Sequence, residues 1–212
     1  MGKVENNFAI GRVSKHIINL AVPMIVAQLI NVLYNVVDRI YIGRIPGEAT
    51  LAMGGLGLCL PLISIINAFA NLFGMGGAPL CSIARGRGDN EEAEKIMGNS
   101  FMLLIIFSVV LMVVGFIFKE DLLWLFGASA NTIGYANDYM TIYLLGTLFV
   151  LIGLGMNSFI NSQGFAKIGM LTVLLGAVTN IILDPIFIFG FDLGVQGAAI
   201  ATVISQFVSA LW

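Results

Sequence analysis

Charge is what this chain of 212 residues has least of: Lys, Arg, Asp and Glu together make up 10% of it. A soluble domain carries about a quarter, so the groups needed to coat a globule are missing. Histidine occurs once, at His16, and cysteine twice, at Cys59 and Cys81. One histidine and no cysteine cluster argue against a zinc or haem centre. Two lone thiols inside apolar sequence behave as small hydrophobes. The 10 Lys and Arg are outnumbered by 12 Asp and Glu, for a net charge of -2, which is no footprint for nucleic acid. The glycines at 86 and 88 come with no strand or Walker lysine, so they form no nucleotide loop. With no nucleophile–base pair either, the chain does not read as an enzyme, and no cofactor is expected.

What is present is apolar. Hydrophobic residues make up 58% of the chain and the mean hydropathy is +0.97. A membrane-crossing helix needs about 20 predominantly apolar residues, and the sparse charges cut the sequence into six such stretches. They are expected at 17–42, 50–84, 95–118, 135–164, 168–190 and 195–212, after a tail at 1–16. The second stretch would be about 50 Å long as one straight helix, too long for one bilayer core and too short for two crossings. Pro61 is expected to kink it, and Gly74, Gly76, Gly77 and Pro79 to loosen its inner end. The fold class is therefore all-α and integral to a membrane.

Basic residues set the orientation. Lys3, Arg12, Lys15, Arg85, Arg87, Lys95 and Lys167 fall on one side, and only Arg39, Arg44 and Lys119 on the other. The positive-inside rule then places the N-terminus in the cytoplasm of a cell with an inner membrane. Outer loops are expected around 44–48, 119–131 and 191–194. The last stretch lacks a basic flank, which reads as a chain cut at or inside its sixth span.

Ionisable groups inside apolar runs are costly, about 2.5 to 3.5 kcal/mol on insertion scales, and face a cavity or a partner. Two qualify, Asp38 and Asp184. Asn31, Tyr34 and Asp38 form one helical stripe bordered by Asn35, and Thr172, Gly176, Asn180 and Asp184 form a second. Gly194, Gly197, Ala198 and Ala201 make a small-residue face with Thr202 beside it. Helix rise puts Asp38, Asp184 and Thr202 in the outer half of the bilayer, where they could converge. Each has a plainer alternative. Asp38 would be a wetted rim residue, Asp184 a helix-end device before Pro185, and Asn180 and Thr202 interhelical glue. Asp138 reads as a solvated outer rim. Arg85 to Asp89 reads as a tight turn, with Asp89 or Asn90 capping the next helix and Glu91, Glu92 and Glu94 suiting its positive end.

Four motifs carry a resemblance. They are Pro23 with Leu33-Tyr34-Asn35-Val36-Val37-Asp38 and Gly43; Gly86-Arg87-Gly88-Asp89; Thr179-Asn180-Ile181-Ile182-Leu183-Asp184-Pro185; and Gly194-Val195-Gln196-Gly197-Ala198-Ala199-Ile200-Ala201-Thr202. In this order and spacing the chain resembles the N-terminal lobe of a multidrug and toxic compound extrusion (MATE) transporter. The residues before Asp38 favour the branch with the DNA-damage-inducible and archaeal members. The resemblance implies one six-helix lobe of a two-lobe antiporter that exports organic cations against inward H+ or Na+. It implies an ion-coupling site at Asp38, Asn180, Asp184 and Thr202, with Tyr34, Tyr139, Asn157 and Ala198 as neighbours or substrate-lining residues. The same four oxygen-bearing residues are the candidates for Na+, a hard cation. The expected partners are organic cations, membrane lipid, and a missing C-terminal lobe or a second copy of the chain. Two other readings stand beside this one: a flippase for lipid-linked precursors from the same superfamily, and a non-transporting truncated membrane subunit.

Overall fold

The computed structural model describes residues 12–212; the part of the tail at 1–11, with Lys3, lies outside them. Within those residues the chain is helical, with no strand. Its helices are α1 Val13–Ile42, α2 Ala49–Gly86, α3 Asn90–Leu125, α4 Ile133–Leu145, α5 Thr147–Ser162, α6 Ala166–Pro185 and α7 Gly194–Leu211. A π-helical turn, Ile186–Gly190, extends α6. Five spans are long and apolar enough to cross a membrane, and α4 with α5, bent by 60° at their junction, makes a sixth.

Several expected boundaries shift. The first helix begins at Val13, so the end of the expected 1–16 tail is helical. The third helix runs from Asn90 to Leu125, well past the expected 95–118, and Lys119 sits inside it rather than in a loop. There Lys119 donates to the Thr141 hydroxyl on α4 and lies 5.7 Å from the Phe116 ring centroid. This arrangement lets the long side chain hold its charge on a polar partner near the helix end. The expected continuous span at 135–164 is two helices meeting at Gly146. As expected, α2 is a single long helix, running through Pro61 and Pro79. Neighbouring helices hold it together: Gly74 packs against the Gly155 backbone and Gly77 against Ser100 and Phe159.

The turn into α3 follows its sequence. Gly88 takes φ +79, a conformation that other residues rarely adopt. Asp89 then accepts a hydrogen bond from the Glu92 amide at 3.0 Å, satisfying one of the orphan donors at the helix start.

Packing follows small residues. α2 lies along α5 and α3, α1 along α6, and α7 against α6 and α4. The small-residue face of α7 works as expected: Gly197 stands against the Phe187 carbonyl of the π turn, where a Cβ would come within 2.7 Å of its oxygen. α1 buries only Pro23, Asp38 and Ile42. Its other apolar side chains, such as Ile17, Ile18, Leu29 and Leu33, face outward, as lipid-facing positions do. Between α1, α2, α4, α5, α6 and α7 this packing leaves a polar cavity.

Candidate functional site

The four residues expected to couple an ion come from three helices. Asp38 arrives on α1, Asn180 and Asp184 on α6, and Thr202 on α7. All four are buried, Asp184 completely so. Asp184 stands at the end of α6, just before Pro185 and the π-helical turn. Asn180 Nδ2 donates to Asp184 Oδ1 at 3.1 Å, the i to i+4 geometry of one helix face. The carboxyl groups of Asp38 and Asp184 lie within hydrogen-bonding reach of each other. One oxygen of each, together with Asn180 Oδ1, has no protein partner. Tyr139 lies fully packed with its hydroxyl within reach of Thr202, and its ring stacks on Tyr143 at 6.1 Å.

This is a demanding piece of electrostatics. Two carboxylates facing each other inside an apolar assembly repel, and each loses its hydration. The Lys95–Glu91 ion pair is exposed on α3 and belongs to neither acid. Arg39 adjoins Asp38 but is itself exposed. A bound proton or cation relieves such a pair, which then behaves as a single titrating unit. No group of three or more His, Cys, Asp or Glu suited to a metal occurs among the described residues, so any metal bound here would rely on neutral oxygens beside two acids.

The cavity beside the pair measures about 260 Å³. Tyr34, Asp38, Tyr139, Asn157 and Thr202 line it. Asn180 and Asp184 stand behind its wall, and Ala198 is packed away entirely rather than lining it. Asp138 is exposed at the rim, as expected, and accepts a hydrogen bond from Gln196 at 3.1 Å. Residues not anticipated also line the cavity: Asn67, Tyr143, Ser205, Gln206 and Ser209. The α7 members were legible. With Thr202, they recur at the spacing of a single helix face, but attention to ionisable groups passed over them. Asn67 gave no comparable signal, being one amide in a long apolar run.

Comparison with known proteins is consistent along the whole chain. The MatE family profile matches residues 23–186. The multidrug export protein MepA of Staphylococcus saprophyticus is 32% identical over 200 residues, which are 94% of this chain and 44% of the relative. Its counterpart from Staphylococcus haemolyticus is 30% identical over 198 residues. Among solved structures, the outward-facing conformation of a multidrug resistance MATE family transporter matches with a TM-score of 0.88 at 30% identity, over 95% of this chain and 44% of that one. A MOP superfamily transporter from Pyrococcus furiosus, described as having a binding pocket of reversed polarity, matches with a TM-score of 0.91 at 28% identity, over 100% of this chain and 46% of that one. The chain thus spans about half the length of the relatives it matches. Fold, motifs and profile agree that the chain belongs to the MatE family and corresponds to the N-terminal half of its transporters.

Proposed function

We propose that this chain is the coupling lobe of an antiporter that exports organic cations from the cytoplasm while H+ or Na+ moves inward. The observation that carries the reading is the acid pair: Asp38 and fully buried Asp184, within reach of each other and lacking a buried basic partner. Asn180 orients one carboxyl group, and Thr202 and Tyr139 supply neutral oxygens beside it. Such a pair binds a small cation strongly only when the cavity is closed around it, so ion binding favours one arrangement of the helices and a bulky organic cation the other. A membrane potential of 100 mV contributes about 2.3 kcal/mol for each charge carried across. We place the lobe in a cytoplasmic membrane with its N-terminus inside, on the positive-inside distribution. We read it as a transporter without an enzymatic step, working with a second lobe or a second copy of itself.

The test is ethidium efflux from energised cells that express the chain alone or beside a separately encoded second lobe. Efflux is expected when a second lobe is available, and Asp184→Asn is expected to abolish it. Efflux that survives Asp184→Asn overturns the coupling role of the pair.

A further inference from the structure

Three of the four residues gathered at the acid site, Asn180, Asp184 and Thr202, belong to α6 and α7. Two contacts set how these helices lie together. In the first half of α6, a Cβ on Gly176 would lie 2.3 Å from Ser209 Oγ, and that hydroxyl donates to the Thr172 carbonyl at 3.2 Å. This contact can give, because a serine side chain has other rotamers. The second contact lies just past the end of α6, where Gly197 stands against the π turn. A Cβ there would lie 2.6 Å from the Phe187 carbonyl carbon, 2.7 Å from its oxygen and 2.9 Å from Ile188 N. All three atoms are backbone, so no rotamer makes room for a methyl group.

The coupling residues sit between the two contacts. Asn180, Asp184 and Ile188 step by four along one face of α6 and its π turn, and all three are buried. On α7, Gly197, Ala201, Ser205 and Ser209 step by four in the same way. The helices run in opposite senses, so Ala201 falls opposite the turn that carries Asn180 and Asp184, and Thr202 follows it. Thr202 is about 7.5 Å along α7 from Gly197, and Asp184 about 4.5 Å back from Phe187, at the helical rise per residue. The hydrogen bonds of the site do not tie α6 to α7. Asn180 donates to Asp184 within α6, and Ser205 donates to the Thr202 carbonyl within α7. Asn180 Oδ1 and Asp184 Oδ2 stay buried without a protein partner, which leaves them to a ligand shared with the neighbouring helix.

The spacing of α7 from the acids therefore depends on the contact that cannot yield. A methyl group on Gly197 would push the helices apart by roughly 0.8 Å, from 2.6 Å to ordinary contact near 3.4 Å. A binding constellation tolerates displacements of about 0.5 Å. We propose that Gly197 is a positioning residue for cation binding at the acid pair: its bare backbone seats α7 on the π turn and sets the distance at which Thr202 meets Asp38 and Asp184. The proposal rests on the antiport reading for the cation itself.

The test is ethidium efflux from cells expressing the full chain beside a separately encoded second lobe, with outer pH and outer sodium varied in turn. Gly197→Ala is expected to raise the half-saturating concentration of the driving cation about tenfold, the scale of one lost bond to a charged group. The half-saturating concentration of ethidium is expected to stay unchanged. A merely structural role lowers the amount of active protein and so the maximal rate alone. Ile188→Val loosens the same seat without a clash, since the Ile188 side chain is buried in the core cluster with Val195, Ala198 and Ala199. It is expected to shift the cation dependence in the same direction by less, which keeps the test decisive should Gly197→Ala fold poorly. A fall in maximal rate with the cation dependence unchanged overturns the proposal, and so does an equal shift for ethidium. Asp184→Asn run in parallel separates the two readings. If it leaves efflux and its cation dependence intact, the antiport reading falls. If it abolishes efflux while Gly197→Ala keeps the original cation dependence, only the positioning role of Gly197 falls.

Discussion

Two glycines two positions apart on α2 should respond to alanine in opposite directions. Gly74 meets α5 at Gly155: a Cβ added there would lie 2.7 Å from the Gly155 oxygen and 2.8 Å from its Cα. Ordinary contact begins near 3.4 Å, so the helices must separate by roughly 0.7 Å. No rotamer relieves this, because both partners are backbone. Overpacking costs about 1 to 3 kcal/mol, which for a chain of this size lowers the melting midpoint by about 2 to 12 °C. At Gly76 nothing lies within 4 Å of the added atom. There alanine gains about 0.5 to 1 kcal/mol from helix propensity, so the midpoint should hold or rise. The assay is the fraction of detergent-solubilised protein that remains monodisperse after heating, for Gly74→Ala and Gly76→Ala side by side. If Gly74→Ala melts no lower than Gly76→Ala, the close approach of α2 and α5 is wrong.

Three further outcomes are expected. Asn180→Leu removes the hydrogen bond that Asn180 donates to Asp184 and should weaken binding of the coupling cation about tenfold, the scale of one bond to a charged group; radiolabelled sodium or proton uptake by purified protein reads it, and unchanged affinity would show that Asn180 does not act through Asp184. Asp89→Ala removes the cap on α3 and should cost about 1 kcal/mol, with Asp89→Ser restoring most of the thermal midpoint. Gly146→Ala would drive a methyl group to 2.5 Å from Val203 Cγ2; combined with Val203→Ala it should destabilise less than the sum of the two single changes, by about 0.5 to 3 kcal/mol in a double-mutant cycle, and simple additivity would refute the contact.

How much could be read beforehand depended on how local each cause was. Six crossings and the Gly88–Asp89 turn follow from apolar runs and capping chemistry, which are local; helix rise put Asp38, Asp184 and Thr202 at one depth, and the family resemblance gathered them with Asn180 into one site. The break between α4 and α5 was not legible. Gly146 looks like any other glycine in an apolar run, and what distinguishes it is Val203, distant in sequence. The single long α2 was legible too, because its uncharged run is too long for one straight crossing and too short for two. The amides at 67 and 161 are individually unremarkable polar residues, and Asn157 was singled out only by the family resemblance. Their unpartnered oxygens appear only once the helices are assembled.

The junction at Gly146 also bears on how the protein is made. Neither α4 nor α5 alone, at 13 and 16 residues, reaches the length of about 20 residues that crosses a bilayer. Val203, which packs against Gly146 at the bend, belongs to α7, which leaves the ribosome after α4 and α5. Synthesis proceeds from the N-terminus at about 5 to 20 residues per second, so the fourth crossing spends several seconds in the membrane before its partner exists. During that interval it has the choice of a straight helix, and arrival of α7 selects the bent one. The cavity is consequently completed when α7 docks rather than when α4 and α5 insert.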